Sequence, residues 1–390
     1  MANKPENPFA NQPPPEPRNR RGDDPTARRK PSPINRFTPF VFTGTGRQLF
    51  GIQFLNILLI VLTLGVWTPW ARVRKRRFFY NNTRILGDGL DYLATGFDLF
   101  KGWIVVTIVL LGFYALPVLG IPFLQEGASL VLLLIYPWAL NRSLRFNARN
   151  LAWRDVRFDY NGGYFGSLWF FFVLPLIGFI SLGILMPLAS KGMREYMARR
   201  HSFGAARFSA AGSLASYYGA GFKTVLLGLF FCALVATGAF FLLGDSLAAL
   251  TRSQMSVDDL ERAMEGPQAI SIIYAVPLIL FFLFIITGGY YRALTRNIII
   301  GSLRLQGGVR FRSHVSGIGL AWIILSNLVL SVATLGLLMP WAQVRQYRYL
   351  TSNTEIRPIA DIQSFVDRQS RAGSSIGDAV GEAGGLEINF

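Results

Sequence analysis

Few residues in this 390-residue chain have the types and spacing that chemistry demands. Its two histidines, His201 and His314, lie in separate basic stretches. A histidine metal centre needs further ligands close by, and none accompany them. The single cysteine, Cys232, lies inside an apolar run and permits neither an intrachain disulfide nor a thiolate cluster. No GxSxG, HExxH or Walker pattern occurs. "GTGRQLFG" (44–51) has glycine spacing without a βαβ context and reads as a turn before an apolar segment. Asp91-Tyr92 and Asp159-Tyr160 occupy equivalent places, and pairing of these carboxylates with nearby arginines is expected rather than acid–base work. The expectation is a protein that is not an enzyme, with no metal and no cofactor.

What remains is a pattern of cations. "LTLGVWTPWARVRKRR" (62–77) passes from apolar residues to a segment with five basic positions in six, and "ATLGLLMPWAQVRQYR" (333–348) repeats the junction. Proline cannot donate a backbone hydrogen bond, so Pro69 and Pro340 must kink or restart a helix. Trp70 and Trp341 suit the head-group level of a membrane. Arg74, Arg77, Arg345 and Arg348 would then lie at the interface and attract anionic lipid head groups. Members of each pair are three residues apart and share a helix face. Asn56, Thr63, Asn327, Ser331 and Thr334 are polar groups within apolar runs, serving either as glue between helices or as the lining of a path.

The elements that must hold these residues are membrane helices. The chain is 51% hydrophobic and 16% charged, against about 25% charged in soluble domains. Apolar runs near bilayer-spanning length occur at 48–68, 102–124, 128–144, 164–189, 219–244, 269–290 and 317–339. The expected fold is an all-α polytopic membrane protein of about seven apolar helical segments, with short strand-like cytoplasmic stretches. The expected organisation is a basic, Pro-rich disordered tail (1–37), a repeat-built transmembrane domain (38–360) and a flexible C-terminal tail (361–390). Net charge is +17. The basic residues flank apolar runs, which points to topology and lipid rather than nucleic acid. Of 39 Lys and Arg, 36 fall in 1–47, 72–101, 141–163, 191–218, 292–316 and 341–390. These six read as cytoplasmic, while 125–127 and 245–268 read as external. Seven full spans do not fit that alternation. Either the charge rule fails at several loops, or 48–68, 164–189 and 317–339 are re-entrant.

Residues 56–85 and 327–356 align without gaps, with 15 identities in 30 positions. Weaker copies occur at "YPWALNRSLRFNARN" (136–150), "SLGILMPLASKGMREY" (181–196) and "YYRALTRN" (290–297). Each apolar run follows an alternating stretch ending near glycine: "FVFTG" (40–44), "LDYLATG" (90–96), "VRFDYNGG" (156–163), "ARFSAAG" (206–212) and "VRFRSHVSG" (309–317). Five degenerate units are therefore expected. The recurrent TLG…PWA…R pattern, the FxFxG stretch before it and the Asn-Thr after it (Asn82-Thr83, Asn353-Thr354) resemble the YjgN family of bacterial inner-membrane proteins. The likeness covers about 40–360; Pro187-Leu188 departs from its Pro-Trp. It implies a multi-pass inner-membrane location and no agreed activity. The functional expectation is a protein that binds or organises anionic lipid through basic elbows. The alternative is a passive transporter or channel for a small solute or lipid, separable by a flux assay.

Overall fold

The computed structural model describes residues 36–121, 123–252, 267–359 and 361–371. Eleven short strands form one antiparallel sheet. They are β1 (Thr38–Pro39), β2 (Val41–Phe42), β3 (Thr83–Ile85), β4 (Asp88–Tyr92), β5 (Leu151–Trp153), β6 (Val156–Tyr160), β7 (His201–Phe203), β8 (Ala206–Ser209), β9 (Arg304–Leu305), β10 (Val309–Ser313) and β11 (Thr354–Arg357). The hydrogen-bonded order is β1-β11-β10-β9-β8-β7-β6-β5-β4-β3-β2. Its two end strands are neighbours in the chain, separated by Phe40 alone. Phe40 N–H donates to Thr354 O and Thr43 N–H to Asn82 O, so segment 38–43 joins both edges and curls the sheet into a nearly closed barrel.

Four hairpins and the β11–β1/β2 junction build the ring. Leu86-Gly87 and Arg154-Asp155 have positive φ at both positions. That is the geometry of a two-residue turn matching strand twist, and it fixes the registers Ile85↔Asp88 and Trp153↔Val156. Period-two alternation sorts the faces. Ile85, Leu90, Trp153, Val156, Phe203, Leu305, Val309 and Ile356 are buried inside, whereas Arg84, Arg157, Arg207, Arg304 and Arg310 are exposed outside. A helix at 362–371 inserts Ile362, Phe365 and Val366 into the same core. Residues from 361 were expected to be a tail; 361–371 instead supply part of the interior, and 372–390 lie outside the described residues, as do 1–35.

The helices are α1 (Gly46–Leu62), α2 (Thr68–Asn81), α3 (Gly96–Ala115), α4 (Leu124–Arg149), α5 (Tyr164–Leu168), α6 (Leu174–Ile180), α7 (Met186–Arg199), α8 (Leu214–Arg252), α9 (Pro267–Ser302), α10 (Gly317–Ala333), α11 (Met339–Ser352) and, at 362–371, α12. The glycine-spaced stretch at 44–51 starts α1 with a capping box: Thr45 Oγ1 accepts from Gln48 N–H, and Gln48 Oε1 from Thr45 N–H. Thr95 and Asp98 do the same for α3.

The all-α expectation is overturned by the eleven-stranded sheet. Five strands, β2, β4, β6, β8 and β10, overlap the alternating stretches read as strand-like; their partners have two to four residues each, too few to show a period beside long apolar runs. The count of about seven apolar segments is overturned as well. Among the described residues three helices are long and apolar enough to cross a membrane: Gly96–Val118, Leu214–Gly238 and Pro277–Ser302. The runs at 48–68, 164–189 and 317–339 break at Leu-Gly pairs. Leu64, Leu182 and Leu335 take left-handed φ of 50–53°, and the following Gly65, Gly183 and Gly336 take 86–93°. Each apolar helix ends there, and a second helix starts at a proline and packs back on it. Pro137, by contrast, lies within α4, so 128–144 is part of one continuous helix. Most of the external expectation at 245–268 (253–266) lies outside the described residues.

Candidate functional site

Each outer elbow is a pair of helices tied by polar groups within the apolar region. In the first, Asn56 of α1 is buried and its Oδ1 accepts from Arg74 Nη1 (3.4 Å) and Trp67 Nε1 (3.4 Å). In the last, Asn327 Oδ1 accepts from Arg345 Nη1 (3.4 Å), and its Nδ2 donates to Ala342 O (2.9 Å). Both buried amides thereby meet the demand of lipid-facing structure for internal partners. Arg74 also stands over the Trp67 ring at 5.1 Å.

The other polar residues of the apolar runs hold the reversal itself. Thr63 Oγ1 donates to Leu59 O (2.7 Å) and accepts from Trp67 N–H (3.0 Å). Thr334 repeats this with Leu330 O and Leu338 N–H. Ser181 accepts from Leu185 N–H in the middle elbow. Ser331 is half-buried, and its carbonyl accepts from Gly336 N–H. Asn56 and Asn327 thus bond from one helix of the pair to the other, while Thr63 and Thr334 bond within the turn that joins them.

Trp70 and Trp341 stand where one elbow meets the next segment. A Cβ on Gly96 would lie 2.1 Å from Trp70 Cδ1, and one on Gly46 would lie 2.3 Å from Trp341 Cδ1. Glycine is required for such approach. Arg77 Nη2 donates to Ala94 O (2.8 Å), and Arg348 Nη2 donates to Gly44 O (2.8 Å). Each basic helix therefore grips the backbone just ahead of the following apolar helix, and the last grips the first.

Beside these contacts lie two grooves. One, of about 530 Å³, is lined by Ile52, Leu55, Arg74, Arg77, Phe78 and Asn81. The other, of about 540 Å³, is lined by residues including Ile323, Leu330, Trp341, Arg345, Arg348 and Tyr349. Arg74, Arg77, Arg345 and Arg348 all remain exposed despite their hydrogen bonds. The structure thus brings each arginine pair into the lining of a groove that also contains apolar side chains.

Sequence reasoning missed the residues around the barrel mouth. Arg76 Nη1 donates to Tyr92 OH (2.9 Å) and to Asn147 Oδ1. Glu195 stands in α7 where the outer elbows have Arg77 and Arg348. It is buried, pairs with Lys191 and Arg199, and accepts from Gly212 N–H (2.7 Å). A lone carboxylate within "KGMREYMARR" was the available signal. Asp159 does pair with Arg149 (2.8 Å), while Asp91 is exposed. His201 and His314 join no cluster of metal-ligating side chains among the described residues.

The family described as "Bacterial protein of unknown function (DUF898)" matches residues 37–383. The chain belongs to this family. Within it, the chain is 25% identical over 354 residues to the Inner membrane protein YjgN of Salmonella typhimurium, covering 81% of this chain and 88% of that protein. It is 23% identical over 367 residues to the Inner membrane proteins YjgN of Escherichia coli O157:H7 and of E. coli strain K12, covering 85% of this chain and 92% of each. No solved structure matches. With three helices able to cross a bilayer, this DUF898 member is a multi-pass protein of the bacterial inner membrane.

Proposed function

We propose that this protein is a non-enzymatic inner-membrane protein whose elbow grooves hold anionic lipid. One observation carries the reading: at both outer elbows a three-residue-spaced arginine pair lines a groove together with Ile52 and Leu55, or Ile323 and Leu330. Such a groove suits a molecule with a phosphate at one end and hydrocarbon at the other. Guanidinium groups match phosphate oxygens, and each basic residue near an anionic membrane surface contributes about 1 kcal/mol. The two grooves belong to copies of one repeated unit in this reading, supported by the 15 identities between 56–85 and 327–356 and by the paired Asn–Arg hydrogen bonds.

The experiment replaces Arg74, Arg77, Arg345 and Arg348 together by Gln. Retention of phosphatidylglycerol in native mass spectrometry is expected to fall, most strongly at low salt, where screening is least. A variant that keeps its lipid complement but loses a measured solute flux refutes the reading in favour of a passive path.

A further inference from the structure

The middle elbow carries a groove of its own, of about 660 Å³, that shares no lining residue with the outer two. Counted from the Leu-Gly reversal, Gly192 and Glu195 stand where the outer elbows have Arg74 and Arg77, or Arg345 and Arg348. In sequence the arginine pair is lost. The fold restores its charge from other positions. Lys191, Arg199 and Arg200 line the groove with Glu195. Three cations less one carboxylate leave the same two positive charges that each outer pair supplies. Arg199 also restores the grip on the next segment. Its Nε donates to Ala210 O (3.0 Å), two residues ahead of Gly212, as Ala94 and Gly44 stand two ahead of Gly96 and Gly46.

Glu195 draws two of these cations together. Its Oε2 accepts from Lys191 Nζ (3.0 Å) and Arg199 Nη2 (3.2 Å), one helical turn to either side, while Oε1 accepts from Gly212 N–H (2.7 Å). Both cations keep spare donors, since lysine has three N–H groups and arginine five. The Arg199 side chain is more than half exposed, and Arg200 is exposed. Tyr196 stacks on Phe170 (4.8 Å), and the Arg200 guanidinium stands 5.2 Å from the Tyr196 ring. No carboxylate among the described residues pairs with Arg200. Trp169, Phe170, Leu174 and Leu188 supply apolar lining. The first two belong to a π turn at Trp169–Val173, which α1 and α10 of the outer elbows lack. Such turns inside helices recur at functional sites. A Cβ on Gly192 would lie 2.8 Å from Leu174 Cδ2 and 3.1 Å from Phe170 Cδ1. The close seat of these side chains on α7 leaves no room there for an arginine. We propose that the middle groove is a third site for an anionic phospholipid, its phosphate held by Lys191, Arg199 and Arg200. Charged donors of this kind make short, strong hydrogen bonds to phosphate oxygens, and the apolar lining beside them suits hydrocarbon. The proposal rests on the groove reading for its choice of ligand and extends it to the copy that lacks the arginine pair.

The test follows phosphatidylglycerol retention by native mass spectrometry on the purified full chain in an uncharged detergent. Wild type is compared with Lys191→Gln/Arg200→Gln, with the outer-elbow quadruple variant and with the two sets combined. The Lys191→Gln/Arg200→Gln variant leaves the Arg199–Glu195 pair and the Arg199–Ala210 hydrogen bond in place. It is expected to retain one lipid fewer than wild type. In the combined variant, the lipid still held by the quadruple variant is expected to bind about tenfold more weakly or worse. Arg200→Gln alone, at an exposed residue, replaces the pair if the double variant does not fold. A combined variant that holds as much lipid as the quadruple variant overturns the proposal and leaves the outer grooves untouched. Loss of lipid in the middle variant with none in the quadruple variant supports this site and fails the outer grooves. Inorganic phosphate is the control without hydrocarbon. If it displaces the middle lipid at equal concentration, the site takes free phosphate and the lipid proposal is overturned.

Discussion

His201 shows how one side chain registers its surroundings. It opens β7, its Nδ1 lies 2.7 Å from Met197 O, and its ring packs on Tyr160 at 4.9 Å. Burial lowers its pKa from 6.5, outweighing the opposite pull of the Met197 carbonyl and Asp159. The folded protein therefore holds it neutral where the unfolded chain begins to take up a proton. Its stabilising contribution is complete above pH 6.5 and declines as pH falls through that value. The slope cannot exceed about 1.4 kcal/mol per pH unit for one proton. His201→Asn is expected to flatten the fall in Tm between pH 8 and pH 5.5 relative to wild type. Equal slopes for the two proteins would show that another group carries the acid response.

The element that gives the molecule its character is the reversed helix pair. Leu64, Leu182 and Leu335 form the tips and are 94–95% exposed. A leucine left almost fully exposed at a turn is costly in water and favourable in hydrocarbon. The tips are therefore expected to end inside the bilayer. Leu64→Cys in a Cys232→Ala background should resist membrane-impermeant thiol reagents applied from either side. Modification from the periplasmic side would mean that α1 crosses fully. This element was half-legible in the sequence. The excess of basic segments over crossings raised re-entrance, and Pro69 and Pro340 marked the restart. The reversal itself depends on left-handed backbone at a leucine, which no residue type announces. The first strand of each hairpin, such as Thr83–Ile85 or Leu151–Trp153, was invisible because three residues cannot show a period. The second strands were visible as "VRFDY" and "VRFRS". Arginines 74, 77, 345 and 348 were legible as a set because the junction recurs.

At the scale of the whole molecule, a ring of hairpins sits over a group of short and long helices, and α12 fills its interior. Phe365 approaches Gly307 and Phe203, and Ile362 and Val366 are almost fully buried. Removing residues from 361 onward should leave the barrel core open. Each large side chain taken from such a core costs roughly 2–5 kcal/mol. The truncated protein is expected to show a lower Tm and increased binding of an environment-sensitive apolar dye at the barrel. Unchanged values would assign the core to the strands alone.

Closure of the ring through segment 38–43 also constrains how the protein is made. β2 can pair with β3 soon after both leave the ribosome, but β1 must wait for β11, about three hundred residues later. At roughly 5–20 residues per second, Thr38 and Pro39 stay unpaired for tens of seconds. Throughout that interval the growing sheet has two free edges, each able to recruit a foreign strand. A nascent chain halted before Thr354 never hides them. Thr38 and Pro39 thus meet their partner only once the chain has been made as far as Ile356, which makes the closing contact a record that both ends of the ring exist.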